Sequence, residues 1–311
     1  MSARQGTLSK AVPERTGGGT AQGASPVESR GRARGIMTIT LARPEARNGL
    51  SQAMLAALQS AIDAAGADAG VRVVVLAARG PVFCAGHDLK ELTAHRADPD
   101  GGRAFTAVLM RQCATLMRSI VRCPKPVIAA VEGMATAAGC QLVATCDLAV
   151  ASATARFATP GVNIGLFCST PMVALSRNVP RKRAMEMLLL GETLGPREAA
   201  DYGLVNRVVP EGQALDEALQ LARTLASKPP ATLAIGKEAF YRQIEMPLAD
   251  AYDHAAGVMV ENMMNAESRE GIGAFVEKRA PDWEKAARAQ SDRHGCAGSG
   301  ARRGRPARKR P

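Results

Sequence analysis

Apolar positions follow two distinct rhythms along the first half of the chain. GIMTITLARP (35–44) alternates apolar and polar residues and ends in proline, which predicts a strand, with order expected to begin near Gly35. SQAMLAALQSAIDAAG (51–66) instead repeats its apolar residues every three to four positions. Ser51 as cap and Gly66 as terminator predict an amphipathic helix. VRVVVLAA (71–78) and PVIAAVEG (126–133) are continuous apolar runs, which predict strands buried on both faces. RGPVFCAGHDLKEL (79–92) reads as a turn leading into a helix start, and residues 103–122 read as helix, stopped by Pro124 and Pro126. A helix from about Thr136 and a short strand DLAVAS (147–152) complete a β-α-β-α-β-α-β order, the pattern of a parallel sheet with crossover helices. ATPGVNIGLFCSTPM (158–172) is a loop punctuated by Gly and Pro. Beyond Pro180 the chain is mostly helical, and no internal repeat is evident.

Composition changes this picture only at the ends. The 311 residues are 46% hydrophobic but 3% aromatic, so the core is built from Ala, Val, Leu, Ile and Met. The net charge of +11 belongs to the tails. Residues 1–35 carry six Lys/Arg against two Glu, residues 286–311 carry eight against one Asp, and the intervening body is formally neutral. A basic isoelectric point therefore says nothing about the folded body, and nucleic acid is not the expected partner. The tail motif Arg303-Gly304-Arg305-Pro306 resembles a minor-groove hook, but no second basic copy accompanies it. Four parts are expected: a disordered N-terminal extension (1–34), a folded body (35–210), a helical C-terminal subdomain (211–285) and a disordered basic tail (286–311). The extension contains Arg, Gly, Ser and Thr like a transit peptide but has no apolar helical face. A cytoplasmic setting is expected, with the mitochondrial matrix as the alternative. Seven Cys at no framework spacing fit a reducing compartment, and four scattered His give no metal-ligand spacing. No apolar run reaches the ~20 residues of a membrane span.

Two loops carry the candidate chemistry. Cys84-Ala85-Gly86-His87-Asp88-Leu89-Lys90 and Gly133-Met134-Ala135-Thr136-Ala137-Ala138-Gly139-Cys140 each follow a buried apolar run and lead into a helix. Ligands in open α/β folds sit at the carboxyl ends of strands, and helix N-termini offer unpaired amides. Two such amides converging on one point form an oxyanion hole for an enolate or tetrahedral oxygen. The small residues serve equally well for close packing of helix on sheet, and on composition alone the two readings are even.

The runs ARPEARNGLS (42–51), VVVLAARGPVFCAGHDLKEL (73–92), PKPVIAAVEGMATAAGCQLVATCDLAVAS (124–152), RFATPGVNIGLF (156–167), RAMEMLLLGE (183–192), AADYGLVNRVVP (199–210) and FVEKR (275–279) appear in one order over about residues 36–280. With them the chain resembles the enoyl-CoA hydratase/isomerase (crotonase) family. The resemblance implies an α/β fold, a spiral of ββα repeats with a helical C-terminal trimerisation region, assembled as a homotrimer or a dimer of trimers. It implies acyl-CoA thioesters as ligands within fatty-acid metabolism, with coenzyme A as part of the substrate and no separate cofactor. The oxyanion amides fall on His87 and Ala138. Ala85, His87, Asp88, Leu89 and Lys90 line the adenine and pantetheine, and Phe275 and Lys278 match a pair that contacts the CoA nucleotide, in some relatives from a neighbouring subunit.

The resemblance breaks at the acids. The two glutamates that hydratases hold over the acyl carbons fall on Gln141 and Gly161, and a third carboxylate position used elsewhere in the fold falls on Ser169. A carboxamide orients a water but has no proton to exchange near neutral pH, and each lost acid–base group forfeits roughly 10²–10⁴-fold. Gln141 and Ser169 lead the remaining catalytic candidates. His87 titrates in the right range but is expected to work through its backbone, Cys168 and Asn163 to line the pocket or a turn, Cys84 and Cys140 to fill space, and Asp147 to hold structure. The first reading is a hydratase-type lyase or isomerase with weak or altered chemistry. The second is a non-catalytic acyl-CoA-binding or regulatory protein, and a weaker third is a nucleic-acid-associated protein using its tails. Removing residues 286–311 is expected to leave acyl-CoA affinity unchanged in an equilibrium titration. Loss of binding would show that the tail belongs to the site.

Overall fold

The computed structural model describes residues 25–31 and 33–286. Its first strand, β1 (Val27–Arg30), pairs antiparallel with β2 (Ile36–Leu41). Order thus begins earlier than Gly35, inside the segment expected to be an extension. The reason is local: Val27 is buried in the core, and Glu28 pairs with Arg79 at 2.8 Å. The rest of that extension, residue 32 and the tail beyond Ala286 lie outside the described residues.

After β2 the chain runs through α1 (Gln52–Ala67), β3 (Val73–Ala78), β4 (Val82–Cys84), α2 (Leu89–Ala94), α3 (Arg103–Arg122), β5 (Val127–Val131), β6 (Met134–Thr136), α4 (Ala138–Thr145), β7 (Leu148–Ser152), β8 (Arg156–Ala158) and α5 (Pro171–Asn178). It continues with α6 (Arg181–Leu190), α7 (Pro196–Asp201), β9 (Arg207–Val209), α8 (Ala214–Ala226), α9 (Pro230–Gln243), α10 (Leu248–Met264) and α11 (Ala266–Val276). Ser51 caps α1 as expected, its Oγ accepting from Met54 N–H at 3.2 Å.

Two sheets share the strands. The larger has the order β1-β2-β3-β5-β7-β9 and the smaller β4-β6-β8, both parallel apart from β1. The pairs β3-β4, β5-β6 and β7-β8 each give one strand to each sheet and then lead into a helix, so the chain climbs as a spiral of ββα turns. The repetition absent from the sequence is present in the structure. The smaller-sheet strands are only three residues long, too short for a periodicity signal.

Alternation explains the continuous apolar runs. Val74, Leu76, Val127 and Ala129 enter the main core beneath α1, α3 and α4, while Val73, Val75, Ile128 and Ala130 face a second cluster. That cluster is completed by Ala214, Ala218, Ala222 and Ala226, an i, i+4 alanine stripe that lets α8 lie close on the sheet. α8 therefore belongs to the body, and the helices that stand away from it begin with α9 rather than at residue 211. Neither α9 nor α10 buries a single residue.

What holds α9 is polar. Lys237 Nζ donates to Asp147 Oδ2 (2.6 Å) and to the carbonyls of Ile120 and Lys125 (3.0 Å each). Asp147 also accepts from Val127 N–H (2.7 Å) and Tyr241 O–H (2.9 Å). Asp147 is thus the structural group its position suggested. The Lys237 side chain is 9% exposed, so removing its partner strands an ammonium in the protein. Asp147→Ala is expected to cost about 3–5 kcal/mol in urea unfolding. The paired change Asp147→Ala with Lys237→Met is expected to recover part of that loss.

Candidate functional site

The site is assembled from backbone. Asn48, fully buried, donates from Nδ2 to the carbonyls of Arg79 (2.9 Å) and Val82 (2.8 Å) and accepts from Arg43 N–H, fixing the turn between β3 and β4. Leu50 then clamps the following loop: its N–H donates to Gly86 O (2.7 Å) and its carbonyl accepts from Asp88 N–H (3.4 Å). The His87 N–H between these two bonds takes no part in that bridge. Asp88 caps α2 by accepting from Lys90 and Glu91 N–H.

The second loop is locked against the first. Thr136 Oγ1 donates to Ala85 O at 3.1 Å. Gly86 takes a positive φ of 87°, and a Cβ there would lie 3.0 Å from the Ala137 Cβ and 3.3 Å from Ala138 N. Ala137 itself has φ 50° and ψ −118°, a strained conformation for a residue with a side chain, worth about 1–3 kcal/mol. It is held by its N–H to Ala158 O (2.9 Å). The start of α4 thus lies against the Gly86–His87 loop, and the first amides of a helix have no intrahelical partner.

Every residue of α4 is buried. Gln141 is 4% exposed, and its Oε1 has no hydrogen-bond partner among the described residues. The helix opens into a cavity of about 280 Å³ lined by Gln141, Ala144, Val173 and, from α9, Phe240 and Tyr241. Sequence reasoning missed Lys237, Phe240 and Tyr241. Their one legible signal was Lys and Tyr four residues apart on a helix, which also describes an ordinary solvated face.

The predicted residues divide. Ala85, His87, Asp88, Leu89, Lys90 and Ala138 share one neighbourhood, and Gln141 lies one helical turn beyond. Ser169 is exposed, its Oγ turned back to Phe167 O (3.3 Å), and it does not line the cavity that Gln141 lines. Asn163 is exposed and donates to Gly191 O. Phe275 is 84% exposed near the end of α11, and Lys278 follows it with φ 55°. No hydrogen bond or ion pair among the described residues links them to the 85–90 loop.

The thiols are inert by environment. Cys84, Cys113, Cys123, Cys140, Cys146 and Cys168 are free and buried, while Cys296 lies outside the described residues. Burial pushes Cys84 and Cys140 up to about 12 and raises Cys168 despite its bond from Gly161 N–H. None is a thiolate nucleophile at neutral pH. No helix among the described residues is long and apolar enough to cross a membrane.

A family model described as enoyl-CoA hydratase/isomerase matches residues 31–286. The human enoyl-CoA hydratase domain-containing protein 3, mitochondrial, is 49% identical over 251 residues, which is 80% of this chain and 80% of that one. The crystal structure of an enoyl-CoA hydratase from Mycobacterium smegmatis superposes with a TM-score of 0.79 at 52% identity, covering 83% of this chain and 99% of that one. The crystal structure of the human domain-containing protein 3 gives a TM-score of 0.78 at 47% identity, covering 83% and 100%.

Burial also holds the His87 imidazole down from 6.5 to about 4, and its Nε2 has no partner among the described residues. Unfolded chains take up a proton near 6.5, whereas the folded chain resists until about 4. The stability present above 6.5 is therefore lost as pH falls toward 4. Comparing urea unfolding at about pH 7 and about pH 5, His87→Gln is expected to lose less stability than the parent chain. Equal losses would show that other groups carry the acid sensitivity.

Proposed function

The chain belongs to the enoyl-CoA hydratase/isomerase family, and we propose that it binds acyl-CoA thioesters and polarises their carbonyl between the N–H groups of His87 and Ala138. The observation that carries this reading is the lock between the two loops, with Gly86 packed against Ala137 and the Ala138 nitrogen. Preorganised amides of this kind are worth roughly 10²–10³-fold each when charge develops on the oxygen. The thioester reading of Ala85, Asp88, Leu89 and Lys90 rests on the same loop.

The proton-transfer half of a hydratase is missing from this reading. Gln141 is an amide, and Gly161 is more than an empty position. A Cβ at Gly161 would lie 2.6 Å from Leu166 O and 2.8 Å from Cys168 Sγ, and Leu166 N–H closes a turn on Gly161 O at 2.9 Å. The loop is laid over the glycine, so a glutamate there has no room. Efficient two-carboxylate hydration is therefore not expected. The chemistry in reach is enolate or oxyanion stabilisation with little proton shuttling, or binding without turnover. The second reading, a non-catalytic acyl-CoA sensor or carrier, is favoured by the same closure at Gly161.

Self-association is part of the proposal. Leu248, Tyr252, Met259, Val260, Met263, Met264, Phe275 and Val276 form exposed apolar surface on α10 and α11, more than a solvated monomer commonly leaves open. A trimer covering that face would bring Phe275 and Lys278 toward a neighbouring CoA site. The human relative is named as mitochondrial, which supports the matrix alternative over the cytoplasmic expectation.

The test is titration and turnover with crotonyl-CoA. Binding with hydration far below that of ordinary hydratases is expected, and turnover at their rate would overturn the loss of acid–base function. Gln141→Glu is expected to fold and to raise hydration modestly. Adding Gly161→Glu is expected to cost at least about 1–3 kcal/mol from overpacking, with no further gain in rate.

A further inference from the structure

Tyr241 stands between two cavities. One is the cavity of about 280 Å³ that begins at Gln141 and is bounded by α3, α4, α5 and α9. The other, of about 680 Å³, lies on the far side of α9, between Val121–Pro124 and the side chains of Ile235, Lys237 and Glu238. Tyr241 lines both, together with Val121 and Arg122.

We propose that Tyr241 determines acyl-chain specificity, its ring being the partition that ends the chain-binding cavity and its bond to Asp147 fixing that partition in place. The proposal rests on the acyl-CoA reading above. Gln141 follows Ala138 by three residues, a rise of about 4.5 Å on nearly the same helix face. A thioester oxygen on the Ala138 N–H therefore brings the next carbons of the chain alongside Gln141 and directs later ones into the smaller cavity. The unpartnered Oε1 of Gln141, a 4%-exposed residue on the cavity wall, marks a place built to meet a ligand or its water, since buried polar atoms in native proteins normally have partners. Buried Met117 and half-buried Val121, with Val173, Phe240 and Ile244 at the exposed rim, give apolar wall for methylenes among the polar side chains Arg118, Arg122, Arg177 and Glu245.

The partition is anchored at its hydroxyl. α9 buries no residue, and Tyr241 O–H reaches Asp147 Oδ1, whose other oxygen takes Lys237 Nζ and Val127 N–H. Burial and the neighbouring Asp147 carboxylate raise the phenol, so it remains a hydrogen-bond donor. Trimming the ring joins the two cavities. Removing only the hydroxyl keeps the partition and frees it to swing.

The experiment is equilibrium titration of the full chain with saturated acyl-CoA thioesters of stepwise increasing length, from butyryl to palmitoyl. In the parent chain, affinity is expected to rise by at most about fourfold per methylene and then stop at a ceiling. Tyr241→Ala is expected to retain measurable butyryl-CoA binding while the ceiling moves to longer chains. Tyr241→Phe is expected to blur the ceiling without removing it. Butyryl-CoA binding reports that each variant is folded, and Tyr241→Leu gives the same reading if the alanine variant does not fold. A ceiling that stays in place in Tyr241→Ala or Tyr241→Leu, with butyryl-CoA still bound, overturns this proposal alone. Failure of every thioester to bind the parent chain overturns the acyl-CoA reading and this proposal with it.

Discussion

The backbone of β4 and the first turn of α4 lie so close that no side chain fits between them. A Cβ on Gly139 would sit 2.1 Å from Cys84 O, and one on Gly133 would sit 1.9 Å from Pro81 O. This contact fixes everything nearby. It places Gly86 on Ala137, forces Ala137 into its strained conformation, and presents the opening amides of α4 beside the His87 loop. The strain at Ala137 persists because neighbours on both sides over-determine it: Ala158 takes its N–H, and Thr136 is tied to Ala85. A site made of backbone in this way is insensitive to which side chains it carries. The scaffold can therefore remain intact while residues at the acid positions change.

A second constraint acts from outside this contact. Asp147 follows α4 by two residues and joins the end of that helix to β5 and to α9 through one carboxylate. A charge buried in this manner contributes little net stability against a well-packed apolar alternative. Its value is geometric, because no residue of α9 is fully buried and the directional bonds add to half-buried packing in setting its position. The helix wall of the cavity is thus positioned by directional bonds and the floor by close packing. Directional bonds specify one arrangement and fail abruptly when a partner is lost, whereas packing yields gradually.

Much of this was legible in the residues, for physical reasons that also mark where legibility ended. Ser51, the Pro124–Pro126 stop and the Val73–Ala78 run carry strong local signals, and the helices and larger-sheet strands they predict are present. The three-residue strands β4, β6 and β8 carry none, because a strand that short has no period to detect. The strand at Val27–Arg30 was hidden by the Gly- and Arg-rich composition around it. α8 read as part of a separate helical region because an alanine stripe looks alike on a sheet or on another helix. At the site, the glycines and small residues announced a close approach of backbone without saying what approached. Gly161 was legible only as a glycine at a position where the resemblance places an acid. That its loop had closed over the position was not, since it depends on Leu166 and Cys168 folding back from five and seven residues away.

That closure bears on what kind of change separates this chain from a two-carboxylate hydratase. If Gln141 stands where a hydratase keeps a glutamate, as proposed, the change keeps shape and hydrogen bonding and loses only the titrating proton. If Gly161 stands at the second such position, as proposed, a buried glycine under the Leu166 carbonyl oxygen loses the space itself. The first change is reversible by a single substitution, and the second requires a new path for residues 161–168. Under the proposed reading, an oxyanion geometry beside an acid position that has been filled suits a protein that holds or polarises a thioester better than one that adds water across a double bond. Water addition needs a base on the attacking oxygen and an acid at the neighbouring carbon. On the proposed reading, with the amides contributing stabilisation and neither proton group present, differential binding of the carbonyl is the function left to this site.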